Sequence, residues 1–497
     1  MTLPKELVHD PKVAAVLPKR RQLFYGGSWH EPISGRYAES INPATQESLG
    51  PIAEAGAEDV DQAVRAAHQA FQTYRNTPPL ARAKMLHEAA GIIRQHAEEL
   101  ALIDAADCGN PVKEMVNDAT VAAITLDCFA GLAGETKGHT IPMNNPSFNF
   151  TVREPYGVCA RIYPSNHPFM FAAAKMAAPL AAGNTIVIKP PEQAPLSSLR
   201  LVELLEKIFP PGVLNCVTGA KETGAALAAH PLVAKVALTG SIPAGKAVMR
   251  AAADTLKGVH FELGGKNALI VYPDADLKKA IAGAVRGMNF LWCGQSCGST
   301  SRLFIHDSLY NDVLVSVVDA IKAAHKPGLP TEMTTTMGCL VSQFGYDKVM
   351  RYIEYGKQEG ARLVLGGNRP NDPKLANGFF IEPTIFADVQ PHMRIAREEI
   401  FGPVLSVLKW SGEEQLFDAV NGVEYGLTCS IWTRNLNTAL RAAARVQAGY
   451  VWINGSSAHF VVAPFGGYKL SGIGREECLE ELLEFTQIKN VNITLDT

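Results

Sequence analysis

At 497 residues the chain is too long for one small core, and its length alone predicts about three domains. A composition of 47% hydrophobic and 19% charged residues is that of an ordinary globular protein, and the net charge of −3 excludes a basic nucleic-acid footprint or an acidic tail. The nine cysteines fall at irregular intervals, and an odd count without framework spacing favours reduced thiols in the cytosol over a disulfide scaffold.

The N-terminus mixes charges with prolines and has no apolar core of a signal peptide. "KRRQLF" at 19–24 has a twin-arginine look, but the polar "YGGSWHEP" follows it, which argues against export. Helical spacing begins at 57–75, where Val60, Val64, Ala67 and Phe71 recur at threes and fours. It continues over 80–109, and again over 110–134, which opens with Asn110 and Pro111 as a helix start does. The apolar stretch at 169–183 carries Lys175 and a proline and is too short to span a bilayer, so no membrane segment is expected.

From residue 157 short β-branched runs, "GVCARIYP", "NTIVIKP", "GVLNCVTG", "AKVALTG" and "VHFELGG", each end at Gly or Pro. Helix-length segments at 168–182, 196–208, 221–229 and 243–256 lie between them. This alternation predicts an α/β fold with a parallel, Rossmann-like sheet covered on both faces. Beyond residue 265 it resumes with "NALIVY", "RLFIH", "LTCSIWT" and "GYVWIN", predicting a second α/β domain. The expected division is therefore 1–137 with 156–265, then 266–470, with 138–155 and 480–497 as a β arm. Both arm segments alternate polar and apolar residues, as paired or intersubunit strands do.

Several stretches have the residue types of a site. "GSIPAGKA" at 240–247 follows a strand and opens a helix, but a phosphate-transfer loop needs Ser or Thr where Ala247 stands. Gly240 and Ser241 could still present a helix N-terminus to a pyrophosphate, or form an ordinary turn. Asn166, in "YPSNHP", sits past a strand end where its amide could donate to an oxyanion, or simply shape the loop. Lys189 and Glu192 lie just past another strand end, placed for ribose hydroxyls or for solvent. Glu262, in "FELGGKN", is an acid within an apolar run: a general base with a raised pKa, or a paired structural glutamate. "FLWCGQSC" at 290–297 carries Cys293 and Cys297, a pair open to several readings; metal binding is poorly supported, since no second CxxC and no His cluster accompanies it.

Taken together and in order, "FELGGKN", "FLWCGQSC", "EEIFGPV" at 398–404 and "PFGGYKLSGIGRE" at 464–476 resemble the aldehyde dehydrogenase superfamily, from about residue 20 to the C-terminus. The family pattern F-x-x-x-G-Q-x-C falls on Phe290, Gly294, Gln295 and Cys297. The resemblance implies that Cys297 is the nucleophile and Cys293 a bystander. It further implies that Asn166 and the Cys297 backbone N–H hold the oxyanion, and that Glu262 activates the water that hydrolyses a thioester. NAD is the implied cofactor, with Lys189 and Glu192 at the adenine ribose, Gly240 and Ser241 at the pyrophosphate, Glu399 at the nicotinamide ribose and Phe401 beside the ring. Lys175 and Glu476 match a proton-exit route.

The loop Pro164–Pro168 departs from the family's usual Pro-Trp-Asn-Phe/Tyr-Pro, with Ser165 and His167 flanking the asparagine. Phe171, Trp292, Ser456, His459 and Phe460 are the expected pocket lining, suited to a medium-sized, apolar or aromatic aldehyde. The resemblance also implies a homodimer or homotetramer, and the reading as a whole a cytoplasmic enzyme. Two rival readings are a thiol esterase without redox chemistry and a non-catalytic dinucleotide-binding scaffold.

Overall fold

The computed structural model describes residues 10–144 and 147–495; the parts of the expected 1–137, 138–155 and 480–497 segments on 1–9, 145–146 and 496–497 lie outside them. Two large sheets carry the fold. The eight-stranded one runs Ser28–His30, Leu23–Tyr25, Leu214–Cys216, Thr185–Lys189, Val158–Ile162, Val233–Thr239, Gly258–Glu262 and Gly472–Ile473. Its five central strands are parallel. Every residue of Thr185–Lys189 is buried, as helices packed on both faces require.

The parallel part of this sheet starts in the middle, at Val158–Ile162. The chain steps outward through Thr185–Lys189 to Leu214–Cys216, then returns to the other side of that starting strand at Val233–Thr239. A reversal of strand order opens a crevice at the C-terminal strand ends.

The second sheet is seven-stranded: Arg362–Leu365, Thr384–Ala387, Val404–Trp410, Arg302–His306, Ala268–Val271, Thr428–Trp432 and Tyr450–Ile453. All its pairs are parallel except the antiparallel edge formed by Arg362–Leu365. Only Leu263–Asn267 separates it in sequence from the last parallel strand of the first sheet. A third, three-stranded sheet pairs Thr486–Thr494 with Ser147–Pro155 in continuous antiparallel register, and Thr140–Ile141 completes it.

The helices follow local signals. Pro168–Ala182 starts with proline, ends at Gly183 in the left-handed conformation, and is apolar almost all round because it is buried on nearly every side. The periodic stretch 80–109 is two helices, Pro79–Gln95 and Ala97–Cys108, which break at His96. Val112–Glu135 is long and apolar enough to cross a membrane by length and composition, but half of its most apolar window is buried in the molecule. It packs against Pro79–Gln95, Ala97–Cys108 and Pro168–Ala182. All nine cysteines are free, and no metal-holding cluster occurs among the described residues.

Candidate active site

A cavity of about 250 Å³ opens at the crevice, lined by Asn166, Phe171, Gly240, Ser241, Glu262, Cys297, Glu399 and Phe401 among others. Its walls come from both sheets. Asn166 and Ser241 follow, and Glu262 ends, adjacent strands of the first, and Cys297 lies in the loop that leads into Arg302–His306 of the second.

The two thiols of "FLWCGQSC" are placed differently. Cys293 has a positive φ of 54° and no exposure, and it belongs to the core under the second sheet. Cys297 is half-buried and stands in the cavity wall. Gly294, at φ 67°, makes this turn possible, because a side chain there would run into the Gly402 carbonyl. Gln295 pins the loop, donating to the Cys339 carbonyl at 3.2 Å and accepting from the Val341 N–H at 3.1 Å. Asn267 does the same from below: its Nδ2 donates to the carbonyls of Cys297 at 2.7 Å and Ser299 at 2.9 Å, while its Oδ1 accepts from the Thr428 N–H at 3.0 Å.

Glu262 lines the same cavity as Cys297, near enough that its charge acts on the thiol. It is 3% exposed, and its Oε1 is buried without a partner. Burial, reinforced by the Glu476 charge, pushes its carboxyl up to about 8. Burial and then the facing Glu262 push the Cys297 thiol well above its ordinary value. The Glu262 charge thus opposes ionisation of the thiol. Asn166 is 5% exposed, and its Oδ1 has no partner. Its backbone carbonyl accepts from Asn110 Nδ2 at 2.6 Å, which fixes the loop while the amide faces the cavity.

At the positions expected to hold the dinucleotide, Ser241 caps the helix Ile242–Ala253, and the Gly240 N–H donates to the Glu262 carbonyl at 3.0 Å. The Glu399 carboxylate accepts from the Gly265 N–H at 2.9 Å, and Gly264 must lack a side chain for Glu399 to fit. Phe401 holds a positive φ of 59° beside it. Lys189 is 8% exposed, and burial pushes its ammonium down to about 8 despite the opposing charge of Glu192. Glu192 itself is exposed and accepts from Gln193 Nε2 at 2.9 Å.

Lys175 and Glu476 form a buried ion pair behind Glu262. Burial works against both charges. For Glu476 it is outweighed by Lys175 and His260, which hold the carboxyl well below its usual range; Glu476 in turn holds the Lys175 ammonium above its own.

Of the expected pocket lining, Phe171 is in the cavity wall. Trp292 lies behind it, edge-on to His167 with ring centroids 4.6 Å apart, and its Nε1 is buried without a partner. Ser456 is buried elsewhere, its hydroxyl donating to the Gly283 carbonyl at 2.9 Å. His459 packs on Tyr450 and Phe465 and faces Glu477 at 3.1 Å, and Phe460 is 63% exposed. These last three therefore lie outside the cavity wall. Sequence reasoning missed Val341, Ser342, Phe344 and Lys348, which line the cavity at the start of the helix Gln343–Gln358. The Ser342 cap and the spacing of Val349, Ile353 and Gly356 carried the signal. Asn110 and Asn267 were also missed, because their partners are distant in sequence.

Comparison with known proteins gives a consistent result. The model of the Aldehyde dehydrogenase family matches residues 29–491. The chain is 52% identical over 491 residues to Aldehyde dehydrogenase tropH of Talaromyces stipitatus, covering 98% of this chain and 95% of that protein. It is 41% identical to Retinaldehyde dehydrogenase 3 of Rattus norvegicus, covering 96% and 94%. Among solved structures, the NAD+ complex of an aldehyde dehydrogenase from Bacillus cereus superposes with a TM-score of 0.94 at 39% identity, covering 99% of this chain and all of that one.

Proposed function

The chain belongs to the aldehyde dehydrogenase family, and we propose that Cys297, Glu262 and Asn166 divide its chemistry among them. The enzyme oxidises an aldehyde to the carboxylic acid with reduction of NAD. Nothing favours a thiol esterase.

The carrying observation is a half-buried thiol in a cavity wall shared with a carboxyl whose Oε1 has no partner. Cys297 Sγ attacks the aldehyde carbon, and its proton passes to Glu262. The carbonyl oxygen becomes an oxyanion, held by the Asn166 amide and the Cys297 backbone N–H. When bound, NAD supplies the acceptor for the hydride that leaves the thiohemiacetal carbon, turning it into a thioester. Once Glu262 has given up the thiol's proton, the freed carboxylate takes a proton from water as that water attacks the thioester, and the C–S bond breaks with the electron pair returning to sulfur as thiolate.

The donor set fits the dinucleotide. The N-terminus of the helix Ile242–Ala253 at Ser241 suits a pyrophosphate, and Glu192 and Glu399 suit ribose hydroxyls. The Gly264 backbone is bare where a side chain would displace Glu399. Lys189 would hold the adenine ribose, and Phe401 would lie against the nicotinamide.

In this reading residues 1–137 with 156–265 bind the cofactor and 266–470 carry the nucleophile. The arm of 138–155 with 480–497 joins subunits into a homodimer or homotetramer in the cytoplasm, with exposed Ile141, Phe148 and Ile488 as its apolar contacts. The substrate is a medium-sized apolar or aromatic aldehyde, as Phe171 in the wall suggests. A panel of aliphatic, aromatic and hydroxylated aldehydes tests this by NADH absorbance. Faster turnover of short aliphatic aldehydes overturns the substrate class, and failure of every aldehyde to yield NADH overturns the assigned roles.

A further inference from the structure

Each turnover consumes one water and releases two protons along with the carboxylate and NADH. Both pass through Glu262, which is buried and must be emptied before it can act again. The exit route that the family resemblance implies reaches the Lys175–Glu476 pair, but Glu476 is itself only 2% exposed, so a proton that arrives there is still inside the protein.

The sequence brings a second titratable group to this point. His260 lies two residues before Glu262 on the last parallel strand, Gly258–Glu262, so both side chains point to the same face of the sheet. Across the strands His260 is level with Ala237 and Arg161. His260 is 1% exposed, yet both ring nitrogens face carboxylates. Nε2 is 3.4 Å from Glu476 Oε1, and Nδ1 is 2.6 Å from Glu484 Oε2. The Glu484 side chain is 32% exposed, so it is in contact with solvent. Gly474, at φ 95°, makes room for this pair: a side chain there would collide with both His260 Nδ1 and Glu484 Oε2.

We propose that His260 and Glu484 continue the path outward from Glu476, so that the line Glu262, Glu476, His260, Glu484 delivers the protons of aldehyde oxidation to solvent. The inference rests on the roles assigned above to Cys297 and Glu262. The step makes and breaks only N–H and O–H bonds. A neutral imidazole with hydrogen on Nδ1 accepts at Nε2 the proton arriving from Glu476. It releases the Nδ1 proton to Glu484, which passes it to water, and tautomer exchange resets the ring.

The surroundings favour such traffic. Lys235 Nζ lies 3.9 Å from Glu484 Oε2 and donates to the Glu484 carbonyl at 2.6 Å, and the Arg475 N–H donates to Glu484 Oε1 at 3.3 Å. Arg161 lies 3.8 Å from Glu476 and 3.5 Å from Glu481, holding both carboxylates beside the ring, and Lys175 closes the remaining side of Glu476. Burial opposes charge on His260, but the two flanking carboxylates outweigh it and raise the ring above its usual range. His260 and Glu484 act through Glu476 and Glu262 and touch no substrate, which makes them positioning residues for the proton.

The test follows NADH and a pH-indicator dye together after rapid mixing of enzyme, NAD and aldehyde in weak buffer. In Glu484→Gln the shape of the carboxylate is kept but it no longer carries a proton. The delay between NADH and the dye signal is expected to lengthen about tenfold, short of the roughly 100-fold that a directly acting acid or base contributes. Added imidazole buffer should shorten the delay, and Glu484→Asp should recover most of the native timing. His260→Gln, which cannot take a proton on one atom and lose one from another, should lengthen the delay as well. Thermal melting of each variant separates lost folding from lost relay. Native dye timing in both Glu484→Gln and His260→Gln, with NADH still forming, overturns the relay. Absence of NADH from the unaltered enzyme with every aldehyde overturns instead the roles on which the relay rests.

Discussion

Asn110 Nδ2 donates a 2.6 Å hydrogen bond to the backbone carbonyl of Asn166, and both residues are buried. The helix Val112–Leu132 and the helix Ala97–Cys108 meet at Asn110, so helices remote in sequence set the position of the loop that presents the Asn166 amide. Asn110→Ala leaves that carbonyl buried and unpaired, at a cost of about 1–3 kcal/mol. Melting should show lower stability. kcat should fall with little change in KM for NAD, because the proposed oxyanion donor shifts while the proposed dinucleotide crevice stays.

Cys297→Ser should abolish NADH production from aldehydes while titration still shows NAD binding. Cys293→Ser should retain the chemistry, since that thiol is walled into the core. Its cost is stability, because a hydroxyl without a partner is placed in an apolar site, about 1–3 kcal/mol. Activity kept in Cys297→Ser and lost in Cys293→Ser would reverse the assignment.

Glu262→Gln should give at most one burst of NADH, slowed because the thiol loses its proton acceptor, and then stall with the acyl group on Cys297, visible as added mass on the intact protein. In the proposed mechanism the base form of Glu262 is the one that hydrolyses the thioester. With its carboxyl pushed up to about 8, steady-state turnover should rise with pH through that value and level off above it. A flat profile across this range would count against Glu262 as the base.

Lys175→Met leaves Glu476 buried without its main counter-charge and should cost about 3–5 kcal/mol of stability. The native pair also sets a pH dependence. The folded-state pKa of Glu476 is depressed, so its stabilisation is complete above the usual glutamate value and fades as pH falls below it. Acid unfolding of Lys175→Met should show a weaker dependence on pH in that range.

The parallel strands of the first sheet were legible because each is a β-branched run stopped by Gly or Pro, and those stops are where ligands gather. Cys297 and Glu262 stood out for a similar reason: a thiol between glycines and an acid in an apolar strand are locally unusual. The break at His96 was not legible, since no Gly or Pro marks it and the apolar spacing runs on; the ring faces Glu99 at 2.7 Å at the start of the next helix. The placement of Ser456, His459 and Phe460 depends on how a loop folds back over the second sheet, with Ser456 drawn to the Gly283 carbonyl and His459 to Glu477. Short-range pattern carries none of that. Lys348 and Phe344 reach the cavity from a helix whose own sequence shows only an amphipathic surface segment.

The strand Gly258–Glu262 takes its outer partner, Gly472–Ile473, from near the far end of the polypeptide. During synthesis on the ribosome the first sheet must therefore wait, with that edge uncovered, while the whole second sheet is translated. A premature stop just before Gly472 would release a product that keeps Cys297 and Glu262 but bares an open strand edge to other nascent chains. Such a truncation should be cleared or precipitate, and its failure would be one of folding in the cell.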